Sequence, residues 1–224
     1  MQEKAKRERT QAEIPYSLLE YTADFKKPIA KAWATPALLV AAVLDALEPF
    51  GFNLDGAEAN TPQKLNEYAL RFRRNPVGVT FTVGIGKLIV AAENIDWTEA
   101  DNFVELARAG IDTVLRTADA EIKGQQIALA MHVQLKTKPR QEVTACLLSP
   151  AALNLLDGEL TFPGIILLKE KSKVIVDASV AYANGLFVRI IREHPAEVSF
   201  EQMAKILHAD EEQLFDTLEL EGLL

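Results

Sequence analysis

One stretch of the chain, residues 68–117, passes from strand-like to helix-like periodicity and reads YALRFRRNPVGVTFTVGIGKLIVAAENIDWTEADNFVELARAGIDTVLRT. Apolar and polar residues alternate over residues 68–72 and again over 77–83, as they do in half-buried strands. Residues 84–86, Gly-Ile-Gly, interrupt this alternation, and residues 87–92 resume it. The pattern predicts a strand followed by a hairpin with a short glycine turn.

The same stretch ends in a helical pattern. Thr98, with Asp101 three residues later, is typical of a helix start. Apolar residues then recur at helical spacing, namely Phe103, Leu106, Ala107, Ile111, Val114 and Leu115. Strand, hairpin and long helix together predict an α+β fold in which one layer packs on the other.

An apolar helix is predicted before this stretch. Thr35 is a plausible N-cap with Pro36 at the first helical position, and Gly51 follows the last helical residue. Residues 37–50 are nearly all apolar, so we expect the helix to be covered on most sides, either in the core or at a subunit interface.

Strands predicted at residues 16–25 and 125–136 complete the order strand, helix, hairpin, helix, strand. This order is close to the split β-α-β layout, in which helices cover one face of an antiparallel sheet.

The second half shows a similar pattern, which suggests an internal structural duplication without a residue-level repeat. We expect a short helix at 151–156 after Ser149-Pro150, and then strands at 164–169, 174–180 and 186–192. The C-terminus is helical, with Ser199 and Gln202 placed as a capping box and with Ala209-Asp210 separating two apolar faces.

Three segments are expected in the chain. Residues 1–13 have mixed charge and little to bury, which predicts a disordered arm rather than a signal peptide. Residues 14–139 form the first α+β unit, and residues 140–224 form a second α+β segment that ends in helices and packs on the first.

Composition narrows the classes of function. The 224 residues carry a net charge of −8, which argues against nucleic acid and acidic membranes as partners. No apolar run reaches the roughly 20 residues of a membrane helix. A single cysteine, Cys146, excludes an intramolecular disulfide and fits a cytoplasmic protein.

Catalytic and metal-binding groups are not grouped in the sequence. His132, His194 and His208 are far apart, and a zinc site needs several Cys or His ligands at short spacings. Cys146 lies in an apolar run, where a thiol is usually an inert packing residue. We therefore expect no cofactor, no metal and no catalytic residue.

Three arginines give the best candidate ligand site. Arg71, Arg73 and Arg74 are clustered, and Arg71 and Arg73 share one face of a predicted strand. Guanidinium groups in this arrangement can bind a phosphate or a carboxylate, and His132 is a further candidate. The alternative is a solvated sheet face whose arginines pair with nearby acids.

A helix-turn-helix is the third possibility, suggested by residues 200–224. From Ser199 onward seven acidic residues face a single basic one, Lys205. A second helix that begins Asp210-Glu211-Glu212 would place carboxylates against phosphates, so we do not expect DNA binding here.

Trp97, which opens a helix after a hairpin, and the spacing from His208 to Phe215 resemble a sporadically distributed family of uncharacterised bacterial proteins. The similar segments are residues 16–137 and 208–220. The resemblance implies a bacterial cytoplasmic protein and assigns no site residues.

The sequence therefore favours a non-enzymatic, self-associating protein-interaction module that forms a homo-oligomer. The alternative is a protein or enzyme that binds a small anionic ligand through Arg71 and Arg73.

Overall fold

A computed structural model describes residues 9–60, 67–74, 78–97, 100–148 and 164–222. Within them the chain has ten strands and five helices, which confirms the α+β class. The strands are β1 (Thr10–Phe25), β2 (Ala57–Asn60), β3 (Ala69–Arg74), β4 (Val79–Gly84), β5 (Lys87–Glu93), β6 (Ile122–Leu135), β7 (Ile165–Lys169), β8 (Ser172–Ala178), β9 (Gly185–His194) and β10 (Leu220–Glu221). The helices are α1 (Ala30–Ala34), α2 (Pro36–Leu47), α3 (Ala100–Ala118), α4 (Arg140–Thr144) and α5 (Phe200–Thr217).

The strands form one sheet in the order β2-β3-β4-β5-β1-β6-β9-β8-β7, and β10 pairs with β1. Strands β2 to β5 form an antiparallel meander, β5 is antiparallel to β1, and β7 is antiparallel to β8. The short β10 is parallel to β1. The order β4-β5-β1-β6 is that of the split β-α-β layout, as predicted, and β2 and β3 lengthen it.

The predicted hairpin is β4-β5, and its buried face supports α3. Phe72, Phe81 and Val90 lie side by side in the ladder, and all three are buried. Gly110 of α3 lies so close to the ring of Phe81 that any Cβ at this position would collide with it. The glycine costs helix stability but allows α3 to approach the sheet closely.

Helix α2 is covered on one side only, which corrects the expectation that it is covered on most sides. Leu39, Val43 and Leu47 form a buried stripe at helical spacing, and α2 packs against α3. On the outer side Leu38 is 66% exposed. The apolar composition of the helix conceals this asymmetry, because Asp45 is the only polar residue that marks the solvent side.

The C-terminal helix is a single element, so the predicted separation at Ala209-Asp210 is wrong. Ser199 and Gln202 form the predicted capping box, in which the amide of Gln202 donates to Ser199 Oγ and the amide of Ser199 donates to Gln202 Oε1. Ala and Asp are not helix breakers, and one buried stripe runs through the whole helix. The stripe consists of Phe200, Met203, Ala204, Leu207, Glu211, Leu214 and Phe215.

Two compact units are built from interleaved segments and do not follow the expected boundary between residues 139 and 140. One unit, the arginine unit, contains Leu18–Ala128 and Arg192–Ile206. The other, the histidine unit, contains Met1–Ser17, Leu129–Ile191 and Leu207–Leu224. The division is interleaved because β1, β6, β9 and α5 each contribute residues to both units.

The expected disordered arm over residues 1–13 is wrong for its C-terminal part. Thr10 to Glu13 belong to β1, and the amide of Thr10 donates to the carbonyl of Glu219 at 2.7 Å. Thr10 and Leu220 are partners in the parallel pair β1-β10. Residues 1–8 lie outside the described residues, as do the predicted helix at 151–156 and Ser149, Pro150 and Thr98.

A buried polar network joins three elements of the arginine unit. The Tyr21 hydroxyl donates to Gln125 Oε1 at 2.9 Å. The Gln125 amide donates in turn to the carbonyls of Pro195 and Val198 at 2.8 and 2.7 Å. The ring of Tyr21 also contacts Phe200 edge-on, at 5.2 Å between centroids. The network connects β1, β6 and the turn that precedes α5.

We predict that Tyr21→Phe lowers the free energy of unfolding by about 1–3 kcal/mol, because it leaves the buried Oε1 of Gln125 without its donor. Urea denaturation measures the change. Tyr182→Phe is the matched control, since the hydroxyl of the half-buried Tyr182 makes no hydrogen bond within the described residues. Equal effects of the two changes would contradict a structural role for the Tyr21 hydroxyl.

Burial also predicts a dependence on alkaline pH. It raises the pKa of the Tyr21 phenol, so the folded state keeps its proton above about pH 10, where the unfolded state loses it. The unfolded state then binds fewer protons, and the free energy of unfolding falls as the pH rises. We expect the stability gap between wild type and Tyr21→Phe to narrow by about 1 kcal/mol between about pH 8 and about pH 11. A constant gap in urea denaturation would exclude this contribution.

Candidate functional site

Arg71 and Arg73 lie on the solvated face of β3. Arg71 is opposite Glu58 and Thr82 in the ladder, and both arginines are exposed. Arg73 Nη2 is 3.8 Å from Glu58 Oε2, and both side chains of this ion pair are about half exposed. An exposed pair of this kind contributes little to stability. The structure therefore supports the alternative interpretation, a sheet face whose arginine pairs with a nearby acid.

Arg74 points to the other side of the strand and lines a cavity of about 510 Å³. The cavity has an apolar floor, formed by the buried residues Val79, Ala92, Phe103 and Leu106. Its polar lining consists of Arg74, Glu93, Asn94, Asp96 and Asn102. Of the three predicted arginines, Arg74 lines a cavity of ligand size.

Two charged residues of this lining are Arg74 and Glu93. Arg74 is half buried and Glu93 is exposed, and neither side chain makes a hydrogen bond or an ion pair within the described residues. Glu93 is the last residue of β5, and its carboxylate lies over Gly78, where any side chain would collide with it. The carboxylate therefore lies on the face of the sheet opposite to Val79 and Ala92, which form part of the floor of the cavity.

His132 belongs to the histidine unit, whereas Arg71, Arg73 and Arg74 belong to the arginine unit. Its Nδ1 lies 2.8 Å from Ser179 Oγ. The same oxygen accepts hydrogen bonds from the amides of Ala181 and Tyr182, at 3.1 and 3.2 Å. Ser179 is buried at the end of β8, while His132 is half buried on β6.

The number of donors around Ser179 determines the tautomer of His132. A hydroxyl oxygen has two lone pairs, and the two amides use both. The serine hydrogen is then left to donate to Nδ1, so the His132 hydrogen is on Nε2. In this arrangement Ser179 positions the imidazole, and its own oxygen is not available as a nucleophile.

Aromatic rings surround this imidazole. Phe187, Tyr16 and Tyr182 have ring centroids 5.4, 6.3 and 6.4 Å from that of His132. Tyr16 is 36% exposed, so the cluster reaches the surface. Such a surface offers apolar contact and one donor, Nε2–H, which suits a planar ring or a peptide side chain.

A second cavity, of about 490 Å³, contains Cys146, and it corrects the expected packing role of this thiol. Cys146 is exposed, and its Sγ lies 3.2 and 3.3 Å from the carbonyl oxygens of Val143 and Thr217, so its single hydrogen can donate to one of them at a time. The Thr10 hydroxyl, also in the lining, is buried without a hydrogen-bond partner in the described structure.

Periodicity in the sequence did not identify Glu93, which lines the cavity beside Arg74, or Ser179, which contacts His132. Glu93 ends a strand and lines the same cavity as Arg74 only because β3, β4 and β5 are adjacent in the sheet. Ser179 follows β8 and contacts His132 across 47 residues. The sequence offered one signal for the cavity, namely the segment Asn94-Ile95-Asp96 between a strand and a helix. Ligand-binding loops often occur at such positions.

Two further features concern metal binding and the crossing of a membrane. Within the described ranges, no group of three or more His, Cys, Asp or Glu side chains is close enough to hold a metal ion. None of the helices there is both long and apolar enough to cross a bilayer.

We predict that the imidazole of His132 is in the Nε2–H tautomer when neutral and that Ser179→Ala produces a mixture of tautomers. Long-range proton–nitrogen correlation spectra distinguish the two nitrogens, and His132→Gln identifies the signal. Ser172→Ala, on β8 but without a side-chain bond to His132 in the described structure, is the control. An unchanged tautomer in Ser179→Ala would show that the serine does not position the ring.

Comparisons with known proteins assign no family to this geometry. No protein-family model matches the chain, and no curated protein matches it.

Proposed function

We propose that this chain is a non-enzymatic, self-associating interaction module whose copies pair along the outer edge of β7. The observation that supports this proposal is the exposure of three consecutive apolar residues on an end strand. Ile166, Leu167 and Leu168 are 56%, 41% and 75% exposed, and β8 is the only strand that pairs with β7 within the described residues. An exposed apolar edge of this kind is a ready template for another strand.

A second copy is the occupant that the edge itself favours. In an antiparallel pair centred on Leu167, a two-fold axis would place Ile166 opposite Leu168 of the other copy. Lys169 would lie opposite Ile165, so no like charges would face each other directly. The edge is therefore self-complementary in both its backbone groups and its side chains.

The size of the edge indicates how strong the association is. Stable interfaces generally bury more than about 1,000 Å², which five residues of strand do not reach alone. We therefore expect a reversible dimer whose population depends on protein concentration rather than a permanent assembly. The opposite end of the sheet is β2, whose short and polar sequence Ala-Glu-Ala-Asn offers much less apolar surface.

Enzymatic alternatives receive no support from the two nucleophile candidates. Both lone pairs of the Ser179 oxygen accept amide hydrogens, and the Cys146 thiol is held between two carbonyls. The anionic-ligand hypothesis based on Arg71 and Arg73 is weakened by the ion pair between Arg73 and Glu58. A bacterial, cytoplasmic origin is part of the proposal, supported by the family resemblance and by a single cysteine.

We predict that the double variant Ile166→Lys, Leu168→Lys weakens self-association at least about tenfold, because it would place lysines opposite one another across the two-fold axis. Sedimentation velocity at several protein concentrations measures the monomer–dimer equilibrium. Wild type should shift towards dimer as the concentration rises, whereas the variant should remain a monomer over the same range.

Leu38→Lys is the control, since it places one lysine at a leucine of α2 whose exposure of 66% lies between those of Ile166 and Leu168. It should leave the equilibrium unchanged. If Leu38→Lys abolishes the dimer while the β7 variant does not, the interface is on α2. A wild type that stays monomeric at every concentration contradicts self-association.

A further inference from the structure

We propose that the histidine unit binds a planar aromatic carboxylate on the face of the sheet that carries His132 and Arg189. The guanidinium of Arg189 would bind the carboxylate, and the rings beside His132 would hold the aromatic part of the ligand. The proposal is independent of self-association through β7 and depends on different residues. All the residues that form the site belong to the histidine unit.

His132 and Arg189 lie on the same face of the sheet. The imidazole is 5.4 Å from the ring of Phe187 between centroids, so His132 on β6 and Phe187 on β9 point to one side. Arg189 follows Phe187 by two residues, and side chains two apart in a strand share a face at a spacing of roughly 7 Å. The burial pattern agrees, because the alternate residues Val188 and Ile190 are buried whereas Phe187 and Arg189 are half buried.

The charge of Arg189 is not compensated within the described residues. Its side chain is half buried, makes no hydrogen bond or ion pair there, and has a buried Nε atom without a partner. Asp177, the single acidic residue of β8, is engaged elsewhere: its carboxylate accepts from the amide of Ala178 at 2.7 Å and lies beside Gly164, just before β7.

A partly buried cation without a partner costs free energy. A ligand carboxylate removes this cost, because it matches the planar guanidinium and can form two parallel hydrogen bonds with it. One guanidinium balances one negative charge, so the ligand that fits Arg189 is a monocarboxylate.

The aromatic rings next to Arg189 specify the remaining part of the ligand. Phe187 and the exposed Tyr16 both contact His132, so the cluster can be reached from solvent. A planar ring gains favourable stacked or edge-on contacts with such rings beyond the burial of its area. In the neutral imidazole, Ser179 keeps the hydrogen on Nε2, and His132 therefore adds a donor for an oxygen of the ligand.

An NMR titration of the wild-type chain with 2-naphthoate, followed on the imidazole nitrogens of His132, tests the proposal. Two analogues separate the parts of the ligand. The first, 2-naphthamide, keeps the rings without the charge, and the second, decahydro-2-naphthoate, keeps the charge and the size without an aromatic ring. We expect 2-naphthoate to shift the His132 signals and to bind at least about tenfold more tightly than either analogue.

Arg189→Gln should weaken binding of 2-naphthoate about tenfold or more and leave 2-naphthamide unchanged, since the amide has no charge to pair with the guanidinium. Lys171→Gln is the matched control, because it removes one positive charge from the turn between β7 and β8, at a residue without an ion pair in the described structure. It should bind 2-naphthoate as wild type does.

Tyr16→Leu should weaken the binding of 2-naphthoate and of 2-naphthamide by the same factor, because both lose the same ring contact. Circular dichroism verifies that each variant is folded, and the analogue series on wild type does not depend on any variant.

Four results would overturn the proposal. The first is no change in the His132 signals with 2-naphthoate at millimolar concentration. The second is equal binding of 2-naphthoate and 2-naphthamide, which would remove the role of the charge. The third is equal binding of the saturated analogue, which would remove the role of the rings. The fourth is an equal loss of binding in Lys171→Gln and Arg189→Gln, which would attribute the effect to the overall charge of the chain.

Discussion

The amide of Gln125 is the constraint on which the arginine unit depends. It is buried, so each of its polar atoms needs a partner, and it finds them in Tyr21 and in two carbonyls. Pro195 supplies one of these carbonyls and cannot extend β9, since it has no amide hydrogen to donate. The turn that follows places Phe200 against the rings of Tyr21 and Phe103. The position at which α5 starts therefore depends on the side chain of Gln125, which lies seventy residues before Pro195 in the sequence.

Local patterns predicted those parts of the fold whose stability is local. The Gly84–Gly86 turn and the capping box of Ser199 and Gln202 are examples, because their geometry depends on neighbours in the sequence. The patterns failed where distant residues decide. Thr10 to Glu13 look disordered alone and become a strand because Leu220 and Glu221 lie beside their first residues. Helix α5 continues through Asp210 because its apolar stripe is buried along its whole length.

The candidate site could be predicted only in part. Alternation along β3 correctly separated Arg74 from Arg71 and Arg73, but it could not show which face has a cavity. Glu93 and Arg74 line the same cavity only through the strand order, which no local pattern encodes. His132 was identified by residue type, while its orientation depends on Ser179, a residue without any distinctive pattern. Sites built from neighbouring strands become visible only when the register is known.

The pairing of Thr10 with Leu220 has a consequence for synthesis. A ribosome adds about 5–20 residues per second, so on the order of 10 to 40 s separate the emergence of the two partners. During that interval the first residues of β1 have no parallel neighbour, and contacts of such long sequence separation form slowly. The nascent chain therefore exposes an unpaired strand to other polypeptides. How much the chain needs chaperones should then depend on the rate of translation rather than on the stability of the finished protein.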